Sequence, residues 1–359
     1  MRVGVPAEVK TDEGRVGLTP AAAGELAERG HEVLVERGAG VGSGLPDAAY
    51  ERAGARLVDV AEAWSAELVV KVKEPQEAEF PFLRDDLVLF TYLHLAANSG
   101  VADALRESGT TGVAYETVED ARGRLPLLAP MSEIAGRLAA QGGAHHLERP
   151  HGGRGILMGG VAGVAPAQTV VIGAGNVGTN AAVVAIGMGA DVTILDTDLD
   201  RLRALELSLG RSRVTFLHST RVAIEDLLPE TDLLIGAVLV PGARAPQLVS
   251  RAAVGTMRRG AVVVDVAIDQ GGCVETARPT THSDPIYEVD GVVHCCIANL
   301  PGAVPVTSTR ALGNATLPYV IAIADRGLDG ACEAFPGLAE GVNVRGGEVV
   351  NAIVAEALR

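Results

Sequence analysis

The stretch TVVIGAGNVG, residues 169–178, decides the fold of this 359-residue chain. Its first four residues predict a β-strand, and its glycines follow the spacing G-x-G-x-x-G. The following pattern predicts a helix over residues 177–188, and Asp196 ends the next strand-like run, eighteen residues after Gly178. A glycine turn between a strand and a helix, with an acidic residue at the end of the next strand, is typical of a dinucleotide-binding βαβ unit.

The residues of this turn have separate physical roles. Gly173 allows the tight turn, Gly175 lets the backbone approach a pyrophosphate, and Gly178 lets the helix pack closely on the strand. Asn176 and Val177 open the helix, whose N-terminal N–H groups and positive dipole end favour an anion. Together these residues predict the pyrophosphate site of a dinucleotide.

The carboxylate of Asp196 is expected to accept hydrogen bonds from the adenosine ribose hydroxyls. A carboxylate at this position repels a 2′-phosphate, and the next two residues, Thr197 and Asp198, add no positive charge. The predicted cofactor is therefore NAD rather than NADP.

Strand-like and helix-like runs alternate on both sides of this motif, which predicts parallel sheets with helical crossovers. We predict an α/β fold class, with two Rossmann-like doubly wound domains and a cleft between them. One domain is discontinuous and comprises residues 1–129 and 305–359, and the NAD-binding domain comprises residues 130–304. The tail, residues 311–359, is predicted to be largely helical.

Charge and composition exclude several classes of function. The formal net charge of −15 argues against sequence-independent binding of nucleic acid, which requires clustered Lys and Arg. The uncharged run over residues 159–190 is interrupted by glycines and polar residues, so it predicts no membrane span. No apolar run near Met1 predicts a secretory signal. A cytoplasmic location is therefore expected, with no nucleic-acid partner and no membrane partner.

The cysteines predict neither disulfides nor a metal site. None of the four forms a C-x-x-C pair, and no zinc-ligand spacing is present. Free thiols are expected at Cys273, Cys295, Cys296 and Cys332.

The chain resembles alanine dehydrogenase from near Met1 to about Tyr319. The resemblance lies in short segments that follow one another in the family's order. They are GVP at residues 4–6, EGRV at 13–16, KVKEP at 71–75, TYLHLAA at 91–97, PMSE at 130–133, PHGG at 150–153, GAVL at 236–239, IDQGG at 268–272 and ANLPGAVP at 298–305. Broader relatives are the transhydrogenase soluble subunit and the lysine-forming saccharopine dehydrogenases.

This resemblance implies NAD-dependent oxidative deamination of L-alanine to pyruvate and ammonium, and the reverse reductive amination. It implies that Arg15 and Lys73 bind the substrate carboxylate, a group that a guanidinium can grip bidentately. His94 follows an apolar strand-like run and is implied to be the general acid/base, since imidazole titrates near neutral pH. Asp269, just before Gly271 and Gly272, is implied to orient water or help move protons.

The resemblance further implies which residues lie near the nicotinamide and which molecules the protein binds. The implied nicotinamide-side residues are Ser132, Val238, Leu239 and Asn299. The discontinuous domain is then the substrate and catalytic domain. The implied partners are small 2-amino and 2-oxo acids, ammonium, and further copies of the chain. The resemblance implies that these copies form a homohexamer.

Two positions depart from the family pattern. Cys295 stands where family members often carry an aromatic residue, and Val306 where they often carry Arg or Lys. A smaller and less polar lining would admit a side chain larger than methyl, whereas peripheral changes would leave alanine as the substrate. The alternatives that stay open are the same chemistry on a different or larger 2-amino acid, including an opine-type reaction, and an NAD(H)-binding transhydrogenase-like module.

Overall fold

Two units, each built on its own β-sheet, form the part of the chain that the computed structural model describes: residues 1–238 and 245–358, without the side chain of Gln270. The first unit is discontinuous and comprises Met1–Met131 and Gly302–Arg359. The second unit comprises Ser132–Pro301.

The strands are numbered in chain order. They are β1 (Arg2–Val5), β2 (Glu32–Glu36), β3 (Arg56–Val58), β4 (Leu68–Val70), β5 (Val88–Thr91), β6 (Thr111–Ala114), β7 (Gln168–Ile172), β8 (Asp191–Asp196), β9 (Val214–His218), β10 (Leu233–Gly236), β11 (Val262–Asp265), β12 (Ile286–Val289), β13 (Val292–Cys295), β14 (Val342–Arg345) and β15 (Glu348–Val349).

The helices are numbered in the same way. They are α1 (Pro20–Glu28), α2 (Asp47–Arg52), α3 (Val60–Trp64), α4 (Ser99–Ser108), α5 (Ala129–His146), α6 (Asn176–Gly187), α7 (Leu199–Leu209), α8 (Arg221–Leu227), α9 (Arg251–Val254), α10 (Pro305–Ala334, interrupted at Gly327) and α11 (Ala352–Ala357). Among the described residues, no helix combines the length and the apolar character needed to span a membrane.

The sheet of the first unit has the order β15-β14-β6-β5-β4-β1-β2-β3. Strands β1 to β6 pair in parallel, whereas β14 runs antiparallel to β6 and β15 antiparallel to β14. Because β1, β4, β5 and β6 are parallel neighbours, the residues that follow them lie along one edge of the sheet. Ligands of open α/β sheets bind at this carboxyl edge.

The sheet of the second unit has the order β12-β13-β11-β10-β7-β8-β9. Its strand order reverses between β7 and β10, which creates the topological switch point where doubly wound sheets bind ligands. Successive residues of β7 enter different cores, since Val171 packs in one cluster and Val170 and Ile172 in another. Both faces of the sheet are therefore covered, and the predicted α/β fold with two parallel-rich sheets is confirmed.

Helix α1 shows how local sequence sets the element boundaries. The hydroxyl of Thr19 accepts a hydrogen bond from the backbone N–H of Ala22 at 3.3 Å, and Pro20 occupies the first turn. The chain leaves the helix through Gly30, whose φ of +85° suits a residue without a Cβ. Thr before Pro at the start and Gly after the end are helix-boundary signals in the sequence itself.

The predicted tail over residues 311–359 is largely helical, in α10 and α11, but a β-hairpin interrupts it. Helix α10 stops at Ala334, and the chain then forms the antiparallel hairpin of β14 and β15. Gly346 and Gly347, with φ of +59° and +80°, make the turn of this hairpin. Its buried residue Val344 packs into the core of the first unit, so tertiary packing overrides any helical preference here.

Helix α5 packs closely against the start of α6. A Cβ added to Gly136 would lie 2.1 Å from the backbone oxygen of Val177 and 3.1 Å from the backbone nitrogen of Ala181. Only glycine allows this approach of the two helices. The helix that leads into the second unit is therefore fixed against the helix that follows the glycine turn.

We expect Gly136→Ala to destabilise the fold by about 1–3 kcal/mol, because the added methyl overpacks α5 against the α6 backbone. Gly142→Ala is the matched control on the same helix, since a Cβ at Gly142 meets nothing within 4 Å. There the loss of backbone freedom in the unfolded chain favours alanine by roughly 0.5–1 kcal/mol. Chemical denaturation measures both variants, and equal free energies of unfolding would contradict the packing described.

Candidate active site

Three of the predicted site residues lie together at the carboxyl edge of the first sheet. Arg15 lies in the loop after β1, Lys73 three residues beyond β4, and His94 three residues beyond β5. The positive charges of Lys73 and Arg15 both act on the imidazole of His94 and lower its pKa. We call Arg15, Lys73 and His94 the edge cluster.

Arg15 is buried and held by a carboxylate that the sequence analysis did not single out. Its side chain is 2% exposed, and its Nε donates to Oε1 of Glu13 at 2.7 Å. Its Nη1 lies 3.2 Å from the sulfur of Met131. Burial alone would lower the pKa of Arg15, but Glu13 holds it above its ordinary value. The guanidinium is therefore charged and fixed in orientation.

Lys73 shares a carboxylate with a second lysine. Its Nζ lies 3.6 Å from Oε2 of Glu74, while Lys10 donates to Oε1 of the same residue. Burial opposes ionisation of Glu74, yet the two lysines hold its pKa below the ordinary value. At Glu74 itself two cations meet one carboxylate, which suits an anionic ligand, and the buried carboxyl of Glu116 also interacts with the charge of Lys73.

Lys71, two residues before Lys73, has a structural environment instead. Its side chain is fully buried, and its Nζ lies 2.7 Å from Glu79 and 3.2 Å from Glu8. Burial would lower the pKa of Lys71, but the two carboxylates raise it. The sequence analysis gave Lys71 no role in the site, and its charge is fully committed to these two partners.

His94 has an uncommon backbone conformation. Its φ is +48°, a region that L-residues other than Asn and Asp seldom adopt, and such strain concentrates at functional positions. Its backbone N–H donates to Oε1 of Glu116 at 2.6 Å, and its ring stacks on Tyr92 with centroids 5.7 Å apart. Burial, and next to it the charge of Lys73, lowers the pKa of His94 to about 3. The imidazole is therefore neutral near neutral pH.

In the second unit, the glycine turn has the shape that a dinucleotide requires. A Cβ at Gly178 would lie 1.7 Å from the backbone oxygen of Gly173, so only glycine permits the contact between helix and strand. Gly173 has φ of +101°, and a Cβ there would strike Ala237 of the neighbouring chain segment at 2.5 Å. At Gly175 an added Cβ meets nothing within 4 Å. The backbone beside the start of α6 is thus open to a close ligand, as a pyrophosphate needs.

Asp196 ends β8 and faces the same turn. Its Oδ2 accepts from the backbone N–H of Ala174 at 2.7 Å, and its Oδ1 accepts from that of Asp198 at 2.8 Å. Nη1 of Arg201, on α7, lies 3.3 Å from Oδ2. Thr197 and Asp198 carry no positive charge, but the first turn of α7 brings the guanidinium of Arg201 back to Asp196, which the sequence-based prediction of an uncompensated carboxylate missed.

Asp269 lies in the second unit, in the turn that follows β11, and is exposed. Asp265 organises this turn, because its Oδ2 accepts from the backbone N–H groups of Cys273 at 2.8 Å and Val274 at 2.9 Å. Burial raises the pKa of Asp265, while these hydrogen bonds oppose the rise. Asp265 is a positioning residue that the sequence analysis missed.

The residues predicted for the nicotinamide side belong to different segments of the second unit. Val238 adjoins the glycine turn, since its backbone nitrogen is 3.3 Å from a Cβ built on Gly173. Ser132 lies on α5, one turn before Gly136. Asn299 has φ of +70°, and its backbone oxygen lies 3.1 Å from Nε2 of His282. The prediction for Leu239 falls outside the described residues.

The two departures from the family pattern lie in ordinary structural positions. Cys295 ends β13, is 3% exposed and packs in a core cluster of the second unit, where burial raises the pKa of its thiol to about 11. Val306 lies in the first turn of α10 and is 44% exposed. Core packing accounts for a small apolar side chain at Cys295.

Known proteins match the chain over nearly its whole length. The family model "Alanine dehydrogenase/PNT, N-terminal domain" matches residues 4–135, and the corresponding C-terminal domain model matches residues 139–352. A curated alanine dehydrogenase from Mycolicibacterium smegmatis is 53% identical over 100% of this chain and 97% of its own length.

Solved structures agree. An L-alanine dehydrogenase superposes with a TM-score of 0.95 at 53% identity, with 99% of both chains covered. A transhydrogenase from Sinorhizobium meliloti superposes with a TM-score of 0.84 at 27% identity, covering 98% of this chain and 100% of that one. With two family models and full-length identity above one half, this chain belongs to the alanine dehydrogenase/PNT family.

Proposed function

We propose that this protein is an NAD-dependent amino-acid dehydrogenase that converts L-alanine to pyruvate and ammonium and catalyses the reverse reductive amination. The observation that carries the proposal is the edge cluster, in which a guanidinium, an ammonium and an imidazole meet in a full-length relative of alanine dehydrogenases. A site for a 2-amino acid needs a cationic group that binds the substrate carboxylate and a group that accepts a proton.

The substrate carboxylate is bound by Arg15 and Lys73. Glu13 holds the guanidinium of Arg15 in one orientation, and the substrate carboxylate is a second anionic partner for the same cation. Lys73 and Lys10 together outweigh the single negative charge of Glu74. This surplus attracts the anionic end of the substrate and leaves its Cα–N bond to face the rest of the site.

His94 is the proton acceptor and donor. In the free enzyme its imidazole is neutral and can take a proton from the substrate amine or from the water that adds to the imine carbon. Entry of a carboxylate beside Lys73 and Arg15 offsets the charges that act on His94, so its pKa rises in the complex and the ring can hold the proton. Asp269 is the second proton-handling residue of the proposal, after His94, and it orients the attacking water.

The second unit holds the cofactor. Bound NAD supplies the acceptor for the hydride that leaves Cα. The backbone N–H groups at Asn176 and Val177 bind the pyrophosphate beside Gly175, and Asp196 accepts from the ribose hydroxyls. Ser132, Val238 and Asn299 line the nicotinamide side. The domain roles follow the predicted division into residues 1–129 with 305–359 and residues 130–304.

We also propose that the chain works as a cytoplasmic homohexamer. The support is the family resemblance, which implies a homo-oligomer. A purified chain that sediments only as a monomer would contradict the hexamer.

We expect NADH oxidation to be fastest with ammonium and pyruvate among 2-oxo acids of increasing size. The test measures kcat/KM for pyruvate, 2-oxobutyrate and 2-oxoisovalerate at fixed ammonium, with NADPH as a cofactor control. Preference for one of the larger acids would replace alanine by another 2-amino acid. NADH binding without turnover of any 2-oxo acid would contradict the dehydrogenase and favour a transhydrogenase-like module.

We expect His94→Ala and His94→Asn to lower kcat by about 10²–10⁴-fold, since each removes the proton acceptor. The pair separates chemistry from backbone strain, because Asn tolerates the φ of +48° better than Ala does. NADH binding, followed by fluorescence, should be unchanged in both variants. Full turnover in either variant with intact NADH binding would remove His94 from the mechanism.

We expect Asp196→Ala to shift cofactor preference toward NADP by at least about tenfold, equivalent to about 1.4 kcal/mol. The variant removes the carboxylate that repels a 2′-phosphate and releases Arg201 from its ion pair, so the guanidinium can bind that phosphate. The double variant Asp196→Ala/Arg201→Ala is the control and should lose the gain. An unchanged ratio of kcat/KM for NADPH and NADH in the single variant would contradict the role of Asp196.

A further inference from the structure

A cluster of three metal-binding side chains lies outside the proposed active site. His145 is in the last turn of α5, Glu148 follows the helix, and His151 ends the short 3-10 turn Arg149–His151. One ligand atom from each residue lies within 4.8 Å of the other two. In the part of the chain that the structure describes, no other group of three His, Cys, Asp or Glu residues meets this criterion. We call these three residues the α5-end cluster.

The backbone that carries the α5-end cluster is a regular sequence of turns. The three residues are spaced three apart, and the N–H of Glu148 donates to the oxygen of His145 at 3.2 Å. The N–H of His151 donates in turn to the oxygen of Glu148 at 3.1 Å. Spacing by three in such turns places side chains on one face, so the fold brings the donors together before any ion binds.

Glycines fix where this segment goes next. Gly152 has φ of +94°, and a Cβ on Gly153 would lie 2.2 Å from the backbone oxygen of His146. The N–H of Gly153 also donates to the oxygen of Glu148 at 3.1 Å. The loop after the cluster therefore folds back tightly on the end of α5, which limits the freedom of His151 relative to His145.

The donors themselves suit a divalent transition metal. The rings of His145 and His151 have centroids 3.7 Å apart, and Nε2 of His151 lies 3.7 Å from Oε2 of Glu148. Two imidazoles and one carboxylate form a donor set that favours Zn²⁺ and its neighbours over Mg²⁺ or Ca²⁺. Metal–nitrogen bonds of about 2.0–2.1 Å require only side-chain rotations from this starting point, and the side chains of His145 and Glu148 are exposed and can rotate.

The neighbouring His146 is buried, whereas His145 and Glu148 of the cluster are exposed. Its side chain is 8% exposed, and its Nδ1 has no hydrogen-bond partner among the described residues. Its ring lies 5.3 Å from that of His145, centroid to centroid. His146 is therefore buried beside the cluster and does not belong to its ligand set.

We propose that His145, Glu148 and His151 bind a divalent transition-metal ion, with Zn²⁺ as the best-fitting ion, and that the ion ties the end of α5 to the loop that leads into β7. Three protein ligands leave a fourth position for water. The site is independent of the dehydrogenase chemistry, because none of its residues belongs to the edge cluster or to the glycine turn. Its effect is on the stability of the second unit, since an ion that binds only the folded state stabilises it.

The test uses the full chain without an affinity tag, stripped of metal by a chelator. All versions carry Cys332→Ser, because Cys332 is the one cysteine in the described residues that is not buried and could bind Zn²⁺ by itself. Zn²⁺ is titrated against a chromophoric chelator, and bound metal is counted by elemental analysis after buffer exchange. Thermal unfolding is measured with and without Zn²⁺.

We expect one Zn²⁺ per chain and a higher Tm with Zn²⁺. The double variant His145→Ala/His151→Ala should bind at least about tenfold more weakly and lose the rise in Tm, and Glu148→Gln should weaken binding to a smaller degree. His218→Ala is the matched control, since His218 is an exposed histidine at the end of β9. Because the replaced side chains are polar and partly or fully exposed, circular dichroism should show a folded double variant.

Two results would overturn the proposal. One is a metal-stripped parent chain that binds no added Zn²⁺ when the free Zn²⁺ concentration is micromolar. The other is a double variant that binds Zn²⁺ as tightly as the His218→Ala control, which would assign the binding to histidines outside the α5-end cluster. Co²⁺ in place of Zn²⁺ gives a visible absorption band that reports the ligand set directly.

Discussion

The pairing of buried cations with carboxylates is the constraint on which the first unit depends. A charged group in the protein interior is expensive unless a partner of opposite charge and its hydrogen bonds compensate the lost water. Lys71 is fully buried between Glu8 and Glu79, and Arg15 is buried against Glu13. These pairs fill the carboxyl edge of the sheet with fixed charges, so that the surplus left by Lys73 and Lys10 on Glu74 stands in a defined place. In the proposed reaction, this surplus is what a substrate carboxylate meets.

The proposed anion site of the second unit uses backbone N–H groups, whereas that of the first unit uses charged side chains. The turn from Gly173 to Gly178 brings strand and helix so close that no Cβ fits, and this closeness exposes the first N–H groups of α6. Two aspartates stabilise the loops around this site by accepting backbone N–H groups. Asp196 holds the glycine turn at Ala174, and Asp265 holds the turn that carries Asp269. In the proposed function backbone dipoles bind the pyrophosphate, whereas in the first unit ion pairs compensate the buried charges.

Local patterns predicted much of this arrangement, but not the side-chain partners of the site residues or two of the hairpins. The glycine motif, the strand ends at Lys73 and His94 and the cap at Thr19 are each contained in a few consecutive residues. Glu116 was missed because packing brings it to the backbone N–H of His94, 22 residues away. Glu13 and Arg201 are only two and five residues from Arg15 and Asp196, but their side-chain directions depend on the folded loop and on the first turn of α7. Two hairpins were missed although the sequence does signal them. Gly346–Gly347 joins β14 to β15, and Asp290–Gly291, with φ of +52° and +84°, joins β12 to β13.

The groups that bind the substrate carboxylate in the proposed reaction also set the proton affinity of the imidazole beside it. Lys73 and Arg15 lower the pKa of His94 in addition to burial, while Glu74 opposes them. With no anion bound, the imidazole of His94 is therefore neutral near neutral pH and is ready to accept a proton. A carboxylate that binds Lys73 and Arg15 cancels part of their effect and makes the same ring a better base when an amine is present. Burial lowers the pKa of His94 most, and the further part that Lys73 and Arg15 contribute follows substrate occupancy in the proposed site.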